Sequence, residues 1–253
     1  MARFRLEMEY DGSCFHGWQR QVGHLSVQEA LEQALSRLCG HSVTVIGAGR
    51  TDAGVHALGQ VAHFDTHKVR PESAIQRAVN ALTPAAVTVT QCTMVDERFH
   101  ARFSACYREY LYRIGDPPWP AVFERCYRLH HPGRLDDSKM AQAAAWLLGS
   151  HDFSAFRAAE CQAKTAVRHV SRLELCRHGD EIRMVIGADG FLYHMVRNIV
   201  GSLLLVGQGR WSVEQFVRVA QAGNRQAAGP TAPPHGLYLV RVLYHQPRRK
   251  GCE

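Results

Sequence analysis

No two of the eight cysteines (14, 39, 92, 106, 126, 161, 176 and 252) stand in a Cys-x-x-Cys pair. A reduced, cytoplasmic setting is therefore the expectation. Long apolar runs are missing too. The longest, Ile199 to Val206, is interrupted by Gly201 and Ser202 and falls well short of the roughly 20 residues a membrane span needs, so no membrane association is expected. The opening Met1-Ala2-Arg3-Phe4-Arg5 has no apolar core of the signal-peptide kind. No glycine loop ends in Lys-Ser/Thr and no Gly-x-Gly-x-x-Gly opens a helix, which excludes the two common phosphate-cradling motifs. His63-x3-His67 and the His130-His131 pair lack supporting Cys or carboxylate spacing, so no metal site is expected. Acidic residues are the scarcer charge, 23 against 30 Lys and Arg, and the net charge of +7 is carried beside 15 histidines. That balance favours a polyanionic partner such as nucleic acid.

The densest run of reactive groups is Gly47-Ala48-Gly49-Arg50-Thr51-Asp52-Ala53-Gly54-Val55-His56-Ala57. It follows the β-branched Val43, Val45 and Ile46, so a strand is predicted to end in a glycine-rich loop. Arg50, Thr51, Asp52 and His56 place a guanidinium, a hydroxyl, a carboxylate and an imidazole within seven residues. Such a segment is equally a turn in which the Asp bonds the local backbone, and the rest of the chain has to decide between the two.

Arg3 to Tyr10 alternates apolar and charged residues and predicts a half-buried strand closed by Asp11-Gly12. The next loop holds Phe15, His16, Trp18, Gln19, Arg20 and Gln21, suited either to base stacking and phosphate contact or to plugging the domain edge with Trp18. Ser26-Val27-Gln28-Glu29 is a capping box that opens an amphipathic helix ending at Gly40. Gly59 to Thr66 (strand), Pro71 to Leu82 (helix) and Val87 to Val95 (strand) complete a β-α-β-β-α-β order. From Ala105 the order repeats. A strand through Arg108, Tyr110, Tyr112 and Ile114 leads to a helix from Asp137 to Leu148. A hairpin follows (Val167 to Cys176, Glu181 to Ala188), then an apolar helix (Met195 to Val206), a short helix (Ser212 to Ala222) and a strand (Leu237 to Tyr244). The expected fold class is therefore α+β. Two ferredoxin-like halves, 1–104 and 105–253, join into one mixed, mainly antiparallel sheet with helices on one face and a central cleft that the Asp52 loop looks into.

Seven stretches in order resemble one family. They are Tyr10-Asp11-Gly12, Gly17-Trp18-Gln19, Gly49 to Ala57, Phe99-His100-Ala101-Arg102, Tyr110-Leu111-Tyr112, Phe191 to Asn198, and His235-Gly236-Leu237-Tyr238-Leu239. Together they look like the successive motifs of the bacterial tRNA pseudouridine synthase A (synthase I) family, and they cover nearly the whole chain. Ser13, where Thr is more usual, and Pro234, where Ala is, are the departures. The resemblance implies a cofactor-free isomerase that turns uridine into pseudouridine at positions 38, 39 and 40 of the tRNA anticodon stem-loop, working as a cytoplasmic homodimer. It also implies roles for four residues. Asp52 corresponds to the catalytic aspartate, Tyr110 to a base-stacking tyrosine, Arg197 to the arginine paired with that aspartate, and Arg50 to one that helps hold the target nucleotide out of the helix. The chemistry suits these types. A carboxylate can act as nucleophile at the sugar C1′, as base at C2′ or by addition at uracil C6, and each route needs it ionised, which a neighbouring arginine favours. A non-catalytic RNA-binding sheet is the rival, but the RNP1 pattern is absent; a small-molecule hydrolase with Asp52 as nucleophile leaves the basic charge unexplained.

Overall fold

A computed structural model describes residues 1–244; Cys252 and the end of the predicted second half, 245–253, lie outside the described residues. Strand β1 (Ala2–Tyr10) alternates as its sequence predicts. Phe4, Leu6, Met8 and Tyr10 are buried, while Glu9 is exposed. Helix α1 (Val27–Cys39) covers that apolar face. Ser26 Oγ accepts the Glu29 N–H at 3.2 Å, a cap that contributes about 1 kcal/mol. Leu31 and Leu35 are fully buried beneath it, each stabilising the fold by roughly 1.5–3 kcal/mol. Then come β2 (Val45–Gly47), β3 (His56–Thr66), α2 (Glu72–Leu82) and β4 (Val87–Val95).

The second repeat carries β5 (Ala105–Gly115), β6 (Leu129–His130), α3 (Asp137–Ala145), β7 (Gly149–Asp152), β8 (Val167–His178), β9 (Glu181–Ala188), α4 (Met195–Gly207), α5 (Val213–Ala222) and β10 (Leu237–Tyr244). α3 stops short of the predicted Leu148. Its last turn tightens, with Leu147 N–H bonding Ala144 O at 2.9 Å, because Gly149 already pairs with Val170 to begin β7. The two-residue β6 and four-residue β7 are too short for any periodicity to reveal.

The ten strands among the described residues form one sheet in the order β4-β1-β3-β10-β5-β9-β8-β7, with β2 paired to β3 and β6 to β5. In the first repeat the order is β4-β1-β3-β2, and in the second β10-β5-β9-β8, so the same ferredoxin-like arrangement occurs twice. Pairing is antiparallel except at β3–β10 and β5–β6. On the face opposite the apolar one, charged residues pair across strands: Arg3 with Asp65 at 2.7 Å, and Arg172 and Arg241 with Glu109 at 2.9 and 3.0 Å.

One edge of β3 is shared, and this positions the site. β1 occupies the other edge. β2 pairs with Ala62–Phe64 only, while β10 pairs with His56 and Ala57. The chain therefore leaves the sheet after Gly47 where the last strand of the second repeat enters, and the 48–55 loop lies over the join.

Candidate active site

The glycine-rich loop is fixed from below by the first repeat. Ala48 N–H donates to Val61 O at 2.7 Å, Gln60 Nε2 to Gly49 O at 2.9 Å, and Trp18 N–H to Thr51 O at 3.0 Å. The Thr51 hydroxyl meets Tyr10 OH at 2.8 Å. Burial pushes that tyrosine's pKa up to about 12, so it remains a protonated partner. Asp52 then opens a four-residue turn in which Val55 N–H bonds Asp52 O at 3.1 Å. Gly54 stands at φ +79°, the third-position geometry of a type II turn that selects glycine. The backbone thus does make a local turn, and it leaves the Asp52 side chain free to point across the join.

There it meets α4. Arg197 Nη1 donates to Asp52 Oδ2 at 2.7 Å, with side chains 13% and 20% exposed. The same guanidinium donates through Nε to Ala232 O at 2.8 Å, and Ala232 N–H returns a bond to Arg197 O at 3.1 Å. The 229–234 segment can lie this close to α4 because residue 201 is glycine; a Cβ there would overlap Pro230 O. Asn198, fully buried one residue on, accepts from Thr231 Oγ1 at 2.7 Å and donates to Phe156 O at 2.8 Å, so its amide is satisfied and structural. Among the described residues no donor meets Asp52 Oδ1. The carboxylate is held by one oxygen and presents the other.

Asp52 opens on a cleft of about 980 Å³ lined also by Arg50, Arg108, Tyr110, Arg168 and Phe191. Tyr110 packs edge-on against Phe191, ring centres 4.9 Å apart. Burial above all, and then nearby Tyr10 and Asp52, raise its pKa, so its hydroxyl stays protonated at neutral pH. Arg50 is exposed on the cleft wall, and its guanidinium has no protein partner among the described residues. The four residues named from the sequence, 50, 52, 110 and 197, therefore line one cavity.

Two cleft residues escaped the sequence reading. Arg108 spends its guanidinium on the carbonyls of Ala48, Arg102, Ala105 and Asp189, at 2.7 to 3.3 Å, and so ties the first repeat to the second; in sequence it is one more charged strand residue. His194 places Nε2 3.3 Å from Asp52 Oδ2; its place inside the Phe191–Asn198 stretch was the available signal. Of the two readings of the Trp18 loop, the plug is correct. Trp18 is 3% exposed, beneath Gly47 and tilted against Tyr10, so it supports the loop rather than stacking on a ligand. His63 is a buried acceptor for Ala101 N–H at 3.1 Å, and among the described residues no group of three or more His, Cys, Asp and Glu converges.

The cleft thus brings together a carboxylate bonded through one oxygen, a protonated tyrosine and an arginine with no protein partner among the described residues. The chain matches the family model described as tRNA pseudouridine synthase over residues 8–104 and 143–245. It is 49% identical over 245 residues to tRNA pseudouridine synthase A of Paramagnetospirillum magneticum, covering 96% of each chain. It is 47% identical over 247 residues to tRNA pseudouridine synthase A of Rhodospirillum rubrum, covering 96% of this chain and 88% of that one. A crystal structure of a Cbf5-Nop10-Gar1 complex aligns at 13% identity with a TM-score of 0.39, over 84% of this chain and 44% of the matched chain, too distant to add to the reading. The chain belongs to the tRNA pseudouridine synthase family, whose members are isomerases. Arg50, Asp52 and Arg197 fall within the matched segments; Tyr110 lies between them.

Proposed function

We propose that the protein isomerises uridine to pseudouridine in the tRNA anticodon stem-loop, with Asp52 as its catalytic carboxylate and no cofactor. The observation that carries this reading is the 2.7 Å bond from Arg197 to Asp52 Oδ2, made across the join of the two repeats. It holds the carboxylate by one oxygen at the wall of a cleft lined by Arg50, Arg108 and Arg168 and leaves Oδ1 free for the sugar or the base. The target uridine turns out of its stack into the cleft. Arg50 takes the place left in the duplex or the adjoining phosphate, and the Tyr110 ring stacks on the uracil, an interaction worth roughly 1–3 kcal/mol. The C1′–N1 bond breaks, the uracil turns, and a C1′–C5 bond forms. A proton leaves C5 and N1 gains one, so atoms balance without a co-reactant. The halves 1–104 and 105–253 are each inert alone on this reading, since one supplies Asp52 and the other Arg197. The working form is a homodimer in the cytoplasm.

The test uses purified protein and tRNA carrying tritium at uridine C5, with tritium release as the rate and chemical mapping for position. Asp52→Asn keeps the shape of the side chain and removes its charge. It should bind tRNA and release no tritium. Turnover within about tenfold of wild type, roughly 1.4 kcal/mol of barrier, would end the assignment.

A further inference from the structure

His194 is, among the described residues, the one non-glycine at positive φ (φ 60°, ψ 6°). It occupies the N-cap of α4 yet makes no capping bond, although that position favours side chains that do. The left-handed region disfavours any residue with a Cβ, and glycine or asparagine would be the unstrained choices there. Strain held in this way is a pointer to use. The conformation brings Nε2 to 3.3 Å from Asp52 Oδ2, the oxygen that Arg197 already bonds at 2.7 Å. The ring lies flat on Tyr193, centroids 3.9 Å apart, which fixes its plane. Asp52, Arg197, Glu160 and Arg225 are the charged groups around it. Burial first, then the two arginines, lower its pKa against the pull of the carboxylates. The ring is therefore neutral at neutral pH, and its Nε2 meets Asp52 Oδ2 as a polar contact at 3.3 Å.

We infer that His194 is a positioning residue for the isomerisation: its Nε2 stands 3.3 Å from the same Asp52 Oδ2 that accepts from Arg197, so the two side chains together confine that oxygen and turn Oδ1 toward the bound nucleotide. The inference rests on the reading of Asp52 as the catalytic carboxylate. A purely structural His194 would serve only the turn into α4, and the two roles separate by substitution. His194→Gly relaxes the backbone and deletes the donor. Its melting temperature should match or exceed that of wild type and its KM for tRNA should stay within about twofold. Its kcat should fall by roughly tenfold or more, as for loss of a polar contact that holds a reacting carboxylate in its aim. His194→Gln retains an N–H donor of similar reach and should recover part of that kcat despite the strained φ. Wild-type kcat in His194→Gly would overturn the inference, as would a kcat loss accompanied by a lower melting temperature and no recovery in His194→Gln. Turnover retained by Asp52→Asn would remove the reading beneath it. Turnover lost in Asp52→Asn but kept in His194→Gly would remove this inference alone.

Discussion

Replacing Arg197 with Met fills most of the volume of the side chain and removes the guanidinium that spans Asp52 and Ala232. The pair is partly buried, at 13% and 20% exposure. Two unit charges about 4 Å apart at an effective dielectric near 20 attract by ~4 kcal/mol. Desolvation and the ordering of two side chains offset much of that, leaving a coupling of about 1–3 kcal/mol. A double-mutant cycle in urea unfolding measures it directly, using wild type, Asp52→Asn, Arg197→Met and the double variant. The same bond holds the carboxylate in its aim, so Arg197→Met should lower kcat for tritium release by roughly 30- to 150-fold, the equivalent of about 2–3 kcal/mol, with tRNA affinity changed far less. Arg197→Lys should recover only part, because one ammonium cannot reach both Oδ2 of Asp52 and O of Ala232 as the planar fork does. A coupling below about 0.5 kcal/mol, the scatter of independent sites, together with a kcat near wild type, would refute the argument and leave Arg197 as a brace for the 229–234 segment.

Tyr110→Phe keeps the ring and should bind tRNA as wild type does while losing any share the protonated hydroxyl has in proton transfer. Tyr110→Ala should weaken binding of a stem-loop substrate by roughly 1–3 kcal/mol; equal binding by all three in a filter assay would place the base elsewhere. His63 is 2% exposed, and burial, followed by the charge of Arg3, lowers its pKa to about 4. The unfolded chain, with an ordinary His pKa near 6.5, binds this proton first. Unfolding free energy should therefore fall as pH drops from about 6.5 to about 4, by up to ~3 kcal/mol, and His63→Gln should flatten that slope in urea titrations at several pH values.

The sequence by itself determined much of this protein. Residue-to-residue alternation set which side of β1 is buried, the Ser26–Glu29 box set where α1 begins, and the repeated β-α-β-β-α-β order implied two like sheets, because side-chain period and capping chemistry are local properties of the chain. Asp52 was also legible, as the carboxylate in a glycine-rich break between strands. Tertiary structure decided the rest. Asp52 and Arg197 are 145 residues apart, and no local pattern says that β10 takes the edge of β3 that β2 leaves vacant. Arg108 reads as a strand residue until four carbonyls from both repeats converge on it. Trp18 reads in sequence as either a stacking platform or a plug, and only the loop packed above it decides for the plug. His194 is the clearest case. Its left-handed backbone is contrary to what a histidine prefers, so no local propensity foretells it, and only the folded chain shows its Nε2 3.3 Å from Asp52 of the other repeat.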